Sequence, residues 1–112
     1  FAQRRAGAVI DFDRVFVETT GLADPAPVLQ TLATDTLLSE YYRLDCVATL
    51  VDAVNGMTQL DTQPEAVKQA AVADRLLLTK TDLADAAGVA ALQGRLRALN
   101  PHAAFMTVTH GV

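Results

Sequence analysis

Two apolar runs, each ending in a polar motif, constrain the fold of this chain more than any other feature. The first run leads into Glu-Thr-Thr-Gly at residues 18–21, and the second leads into Thr-Lys-Thr-Asp at residues 79–82. A nearly continuous apolar run at residues 45–51 lies between them, which is typical of a strand buried on both faces of a parallel sheet. Both motifs therefore stand where parallel strands end, the edge at which open α/β sheets bind ligands.

Helix signals fill the intervals between the apolar runs. Each helix start is marked by an acidic or proline residue, and Asn55 with Gly56 predicts a turn. The full pattern predicts strands at 14–18, 45–51, 75–78 and 104–108, and helices from Asp24, from Asp35, from Pro64 to about residue 73, and over 83–99. Strands that alternate with helices predict an α/β fold built from right-handed βαβ units.

Composition excludes several classes of protein. The 112 residues suffice for one domain or part of one, and the net charge of −4 argues against a nucleic-acid-binding surface. No apolar run approaches the roughly 20 residues of a membrane span. The single cysteine, Cys46, cannot form an internal disulfide and fits a reducing, cytoplasmic environment. We expect Cys46 itself to be a small core residue of its strand.

The second motif carries groups that suit a guanine base. The carboxylate of Asp82 can accept hydrogen bonds from guanine N1–H and its 2-amino group together, a donor pair that adenine lacks. The stem of Lys80 can lie along the base plane with its charge near the ribose, and the hydroxyl of Thr79 can tie neighbouring loops together. The alternative is that Thr81 or Asp82 merely caps the next helix.

The first motif carries groups that suit a metal-bound phosphate. Glu18 can bind Mg²⁺ through a water, because magnesium keeps much of its hydration shell. Gly21 lets its backbone N–H approach a terminal phosphate. The alternative is a strand-terminal surface glutamate followed by a glycine that ends the strand.

Three further residues are weaker candidates for the site. Asp52 ends the middle strand and is favoured as a turn residue, with a polar role near the nucleotide as the alternative. The backbone near His110 follows the last strand and is a candidate contact for the same base. We expect His102 to face solvent, and two isolated histidines make a poor metal site.

The motifs together resemble the CobW-like family of P-loop GTPases, the cobalamin-synthesis and metallochaperone group. The resemblance rests on Glu-Thr-Thr-Gly-Leu-Ala-Asp-Pro at 18–25, Val-Asp-Ala at 51–53, Thr-Lys-Thr-Asp at 79–82 and Asn-Pro at 100–101. It implies a partial P-loop NTPase-type sheet of mainly parallel strands with helices on both faces. Residues 1–112 would form the distal part of the GTPase domain, from the Walker B-like motif to the guanine-specificity motif.

The resemblance also implies an activity and a set of partners. The parent protein would bind and hydrolyse GTP with Mg²⁺ and deliver zinc or cobalt to a client protein. Glu18 would belong to the Walker B-like motif, and Lys80 with Asp82 to the guanine motif. The family's Cys-x-Cys-Cys metal motif is absent, and Cys46 does not occupy it.

The phosphate-binding loop expected before these motifs is also absent. No Gly-x-x-x-x-Gly-Lys-Ser/Thr occurs in the sequence, so we expect the chain alone to be inactive and to hold no cofactor. A sheet that lacks its earlier strands would expose an edge and apolar surface, which predicts self-association. Two alternatives stay open: a non-catalytic α/β interaction module, and a nucleoside-binding domain that uses only the guanine motif.

Overall fold

A computed structural model describes residues 12–112, which form a three-stranded parallel sheet with helices. The strands lie in the order β1-β2-β3, and both neighbouring pairs are parallel. This arrangement confirms the predicted α/β class. The elements in chain order are α1 (Ala26–Thr34), α2 (Thr36–Tyr41), β1 (Ala48–Asp52), α3 (Gly56–Thr62), α4 (Pro64–Val72), β2 (Arg75–Thr79), a 3-10 helix (Thr81–Leu83), α5 (Ala86–Leu99) and β3 (Ala104–Val108).

Short polar side chains start the helices where the sequence predicts them. Asp24 accepts a hydrogen bond from the amide of Ala26 at 3.0 Å at the start of α1. Asp35 accepts from the amide of Leu38 at 3.0 Å at the start of α2. Such bonds satisfy amides that have no partner inside a helix. Pro64 occupies the first turn of α4, where its missing N–H costs nothing.

The core lies on one face of the sheet, between β2 and α5. Leu76 and Leu78 of β2 are fully buried, and so are Leu92 and Leu96 of α5 within about one per cent. Residues two apart in a strand share a face, and residues four apart in a helix share a side. The core also includes Val51 of β1, Leu60 of α3 and Ala70 of α4. One hydrophobic cluster therefore fixes the three helices that follow β1 against the sheet.

A buried asparagine holds the ends of α4, α5 and β3 together. Asn100 is 6% exposed, and its Nδ2 donates to the carbonyls of Ala70 at 3.0 Å and Ala73 at 2.7 Å. Its Oδ1 accepts from the amides of His102 at 3.3 Å and Ala103 at 3.1 Å. The whole amide group is satisfied, which offsets the cost of burying it. Asn100, which follows the last residue of the long helix, thus also connects that helix to α4 and to the segment before β3.

The predicted first strand is wrong for the described structure. Residues 14–18 adopt no strand, and the side chain of Phe16 in their middle is 90% exposed. A strand needs a neighbour that completes its hydrogen-bond ladder, and none of the described strands lies beside this segment. Glu18 consequently stands in an extended segment rather than at the end of a sheet strand.

The prediction that the strand at 45–51 is buried on both faces is also wrong. The strand begins at Ala48, and Leu50 is 67% exposed on the face opposite the core. Cys46 is exposed before the strand begins, so it is not the small core residue that we expected. The reason is that β1 lies at the edge of the described sheet, and the described helices that bury side chains belong to the core on its other face.

A helix, α3, begins where Asn55 and Gly56 predicted a turn. The two residues do mark a change of chain direction after β1, but Asn55 is the N-cap of a helix and Gly56 is its first residue. A Cβ on Gly56 would lie 2.9 Å from Val51 Cγ1 and 3.1 Å from Leu92 Cδ2. Glycine is therefore needed at this position for close packing of α3 between the sheet and α5.

None of the helices between residues 12 and 112 is both long and apolar enough to span a bilayer.

The open sheet face predicts that the 112-residue chain self-associates as an isolated polypeptide. Leu50 is exposed on that face, and no strand among residues 12–112 pairs with the outer edge of β1. Such edges and apolar patches recruit other chains. We expect a dimer or larger species by light scattering at micromolar concentration. Leu50→Lys should weaken the association by about tenfold, since it removes roughly 1.5 kcal/mol of apolar burial.

Leu83→Lys is the matched control, because Leu83 is 71% exposed but lies in the 3-10 helix outside the sheet. A monomeric parent chain that unfolds cooperatively would contradict the prediction.

Candidate functional site

The carboxyl ends of all three strands lie side by side. The register pairs Asp52 with Thr79, and Thr79 with Val108, as the last residues of β1, β2 and β3. The segments that follow these residues therefore leave the sheet next to one another. The structure brings the Thr-Lys-Thr-Asp motif together with the loops after β1 and β3, as the sequence predicted for the motif's position.

Asp52 is the centre of the polar contacts at this edge. Its side chain is 16% exposed, and its Oδ1 accepts from the amides of Val54 at 2.8 Å and Asn55 at 3.1 Å. Its Oδ2 accepts from Nδ2 of Asn55 at 3.2 Å and from Nζ of Lys80 at 3.0 Å. Asp52 is the turn residue that the sequence favoured, and it is also the partner of a motif side chain.

The environment of Asp52 favours its ionised form. Partial burial raises the pKa of the carboxyl, but the hydrogen bonds from Lys80, from the amides of Asn55 and Val54, and from the Asn55 side chain outweigh it. Together they lower the pKa of Asp52 from 3.8 to about 2. Donors that bond to a carboxylate stabilise the charge that protonation would remove.

Lys80 adopts a backbone conformation that is rare for a residue with a side chain. Its φ is 59° and its ψ is 28°, in the left-handed region, which costs a non-glycine residue about 1–2 kcal/mol. The conformation turns the chain from β2 into the 3-10 helix, where the carbonyl of Lys80 accepts from the amide of Leu83 at 3.0 Å. Glycine would fit this backbone without strain, so a lysine here points to a role for its side chain.

Thr79 ties the ends of β1 and β2 together. Its hydroxyl donates to the carbonyl of Val51 at 3.4 Å, and its own carbonyl accepts from the amide of Ala53 at 2.9 Å. The hydroxyl at this position was expected to tie neighbouring loops together, but in the structure it contacts the end of the adjacent strand.

Asp82 does not cap the helix that follows it. The N-cap of α5 is Asp85, whose carboxylate accepts from the amide of Gly88 at 2.6 Å. Asp82 lies in the middle of the 3-10 helix with its side chain 41% exposed. Within residues 12–112 the carboxylate of Asp82 accepts no hydrogen bond. His110 Nε2 lies 3.8 Å from its Oδ2, which is beyond hydrogen-bond distance. The capping alternative for Asp82 is therefore wrong, and its carboxylate is accessible to a ligand.

A tight turn brings the loop after β3 beside Asp82. His110 and Gly111 have φ values of 53° and 80°. The turn is closed by two hydrogen bonds between Thr109 and Val112, at 2.9 and 3.1 Å. His110 of this loop thus places its Nε2 3.8 Å from the carboxylate of Asp82, while His102 is exposed as predicted.

The first motif lies on an exposed segment that α4 holds. Glu18 is exposed and forms no hydrogen bond with the described part of the chain, and the amide of Ala23 donates to Thr20 at 3.1 Å to close a turn around Gly21. Nε2 of Gln69 donates to the carbonyls of Gly21 at 3.1 Å and Ala23 at 2.9 Å. Gln69 could not be predicted as a site residue, because a glutamine inside a helix carries no motif signal.

A second tether and a cleft adjoin the same segment. Nζ of Lys68 lies 3.0 Å from Oδ2 of Asp24. A cleft of about 300 Å³ lies between Gly21, β1, α3 and α4. Lys80 and Asp82 do not line this cleft. The structure therefore brings the guanine motif together with Asp52 and His110, but it does not join that motif to Glu18 and Gly21.

The described side chains do not form a metal centre. Between residues 12 and 112, no three histidine, cysteine, aspartate or glutamate side chains come together in a way that could hold a metal ion. Glu18, the expected water-mediated Mg²⁺ contact, is exposed, and among the described residues it belongs to no group of three candidate metal ligands.

Comparison with known proteins gives concordant results from sequence and structure. The profile of the family described as "CobW/HypB/UreG, nucleotide-binding domain" matches residues 2–107. The chain is 46% identical over 102 residues to the zinc chaperone YjiA of Escherichia coli, covering 91% of this chain and 31% of that protein. It is 32% identical over 101 residues to zinc-regulated GTPase metalloprotein activator 1 of Schizosaccharomyces pombe, covering 89% of this chain and 25% of that protein.

The crystal structure of the Zn(II)-bound YjiA GTPase from E. coli is similar to this fold. The TM-score is 0.90 at 43% sequence identity, over 98% of this chain and 34% of that one. The chain thus spans about a quarter to a third of the length of these relatives.

The low pKa of Asp52 predicts a specific pH dependence of stability. Because folding lowers this pKa, the ionised carboxylate stabilises the fold above pH 4, and the contribution is lost as pH falls towards 2. Its size is on the order of 2 kcal/mol. Urea unfolding should show Asp52→Asn less stable than the parent chain at pH 7, with the gap closing between pH 4 and pH 2.

Asp13→Asn is the control, since Asp13 is an exposed aspartate outside the strands and helices. A gap that stays constant from pH 7 to pH 2 would show that the charge of Asp52 contributes nothing.

Proposed function

We propose a function from one premise: the chain belongs to the CobW/HypB/UreG family of nucleotide-binding domains. Residues 1–112 form the distal, base-selecting part of a GTPase that delivers a metal ion to a client protein. The observation that carries this proposal is the accessible carboxylate of Asp82 beside Lys80 at the shared edge of the parallel strands. By the complete protein we mean this segment joined to a phosphate-binding part of the kind that P-loop GTPases require.

Base selection falls to the guanine motif. Asp82 accepts from guanine N1–H and the 2-amino group, and its freedom from a capping bond leaves both oxygens available. Lys80 lays its stem along the base plane, while Thr79 keeps the strand ends in register through its bond to Val51. The side chain of His110 lies 3.8 Å from Asp82, and we expect the backbone near His110 to border the same base.

The phosphate side of the reaction falls to the first motif. Glu18 is the accessible carboxylate that would contact Mg²⁺ through a water, which suits the preference of magnesium for a largely retained hydration shell. When bound, Mg²⁺ neutralises charge on the phosphates. Gly21 presents its N–H to the terminal phosphate. The turn that contains Gly21 is held by Gln69, whose Nε2 donates to the carbonyl of Gly21. Hydrolysis in such proteins rests on positioning and electrostatics.

The cargo we propose is zinc. The two relatives are named a zinc chaperone and a zinc-regulated metalloprotein activator, and the similar crystal structure contains Zn(II). These names favour zinc over cobalt and over a role in cobalamin synthesis. The partner is a metalloprotein that receives the ion. The single cysteine suits a reducing compartment, and we place the reaction in the cytoplasm.

The chain alone is expected to hydrolyse no GTP. The loop that supplies most phosphate-binding amides and their lysine does not occur in the 112 residues. A phosphate-release assay on the purified chain should give the same rate as its Glu18→Ala variant. Turnover by the parent chain above that variant would overturn this part of the proposal.

In the complete protein, Asp82→Asn should shift nucleotide preference from guanine to xanthine. The amide cannot accept both guanine donors, but it can donate to the additional carbonyl of xanthine. The loss of a charge-assisted pair costs roughly 1.5–3 kcal/mol, or about 10- to 150-fold in GDP affinity by calorimetry. Asp85→Asn is the control, because Asp85 caps α5 and takes no part in base binding. An unchanged ratio of GDP to XDP affinity in Asp82→Asn would refute the base-selecting role.

A further inference from the structure

The ammonium group of Lys80 has one described anchor, and that anchor is in a different loop. Nζ lies 3.0 Å from Oδ2 of Asp52, across 28 residues of sequence. The lysine side chain is otherwise more than half exposed. A lysine side chain has four rotatable bonds, so without this contact its stem would sample many directions. The ion pair restricts the stem to the side of the motif that faces the end of β1.

The anchor itself is rigid, which distinguishes it from an ordinary surface ion pair. Exposed pairs of two mobile side chains contribute little, because both lose conformational freedom. Asp52 is already fixed by two backbone amides and by the side chain of Asn55. These contacts orient the carboxylate of Asp52 without Lys80, so the ion pair costs conformational freedom only of the lysine side chain.

The pair also affects the second carboxylate of the site. Lys80 and Asp82 are two residues apart at the start of the 3-10 helix, and Asp82 has no described hydrogen-bond donor. A lysine that was not held by Asp52 would have Asp82 as its nearest alternative carboxylate along the chain. Pairing of Lys80 with Asp82 would occupy the oxygens that the proposed function needs as acceptors for guanine.

We infer that Asp52 is a positioning residue for guanine recognition: it holds Lys80 along the base and keeps it away from Asp82. The inference rests on the proposed function and adds a third residue to base selection. Asp52 does not touch the nucleotide and acts through Lys80. A purely structural role in the turn at 53–55 would instead need only its acceptor atom for the two amides.

Asp52→Asn separates these two roles. Its side-chain oxygen can still accept from the amides of Val54 and Asn55, but its neutral amide no longer attracts the Lys80 ammonium. In the complete protein, we expect Asp52→Asn to weaken GDP affinity by about tenfold, the size of a charge-assisted hydrogen bond. Lys80→Met should have a similar effect. The double variant should be no weaker than the weaker single variant, since the two residues act as one unit.

Two further readouts exclude general damage to the fold. Inorganic tripolyphosphate has no base, so its affinity should be the same for Asp52→Asn and for the parent protein. The loss of activity towards GTP should fall mainly on KM rather than on kcat. Asp61→Asn is the matched control, because it breaks an ion pair with Arg95 away from the strand ends, and its GDP affinity should equal that of the parent.

Each outcome decides between the inference and its alternatives. Unchanged GDP affinity in Asp52→Asn, additive effects in the double variant, or an equal loss for tripolyphosphate would overturn the positioning role. If Asp82→Asn and Lys80→Met alter guanine affinity while Asp52→Asn does not, only this inference fails. If neither Asp82→Asn nor Lys80→Met alters guanine affinity, the proposed function fails with it.

Discussion

The packing of α5 against β2 is the interaction on which the rest of the structure depends. Leu76 and Leu78 of the central strand meet Leu92 and Leu96 of the helix, and all four are essentially inaccessible to water. Burial of side chains of this size contributes about 1.5–3 kcal/mol each. Because β2 is hydrogen-bonded to both other strands, fixing β2 also fixes the register that aligns Asp52, Thr79 and Val108.

The polar edge of the sheet is built on this apolar base, and local strain is concentrated there. Lys80 takes a left-handed conformation directly after the buried strand, and His110 does so after β3. Backbone conformations of this kind persist only where the surrounding structure enforces them. Here the enforcing contacts are the Thr79 bonds to β1 and the 3-10 turn that starts at Lys80. The site and the core are therefore linked through the ends of the strands.

The sequence predicted those parts of the fold that depend on local signals. The strands at 75–78 and 104–108 and the helix starts at Asp24 and Asp35 follow from apolar runs and capping residues close in sequence. The strand at 14–18 failed because an apolar pattern does not show whether a neighbouring strand is present. The helix α3 was missed because Asn55 and Gly56 have the pattern of a turn, and the packing that favours Gly56 involves Leu92, which is distant in sequence.

The candidate site was predictable to a similar extent. The motif spacing placed Thr79, Lys80 and Asp82 correctly at a strand end, although the hydroxyl of Thr79 links two strands rather than two loops. The contact between Asp52 and Lys80 spans 28 residues and depends on the register of two strands, which no local pattern encodes. The hydrogen bond from Gln69 to the carbonyl of Gly21 spans 48 residues, so no local pattern encodes it either.

The most direct test of the account is a crystal structure of the complete protein with GDP and Mg²⁺ bound. The account predicts that guanine lies over the edge formed by β1, β2 and β3. The carboxylate of Asp82 would then be about 3 Å from both guanine N1 and the 2-amino nitrogen, with the Lys80 ammonium still bound to Asp52. A base bound elsewhere, with Asp82 exposed and Lys80 released from Asp52, would contradict it.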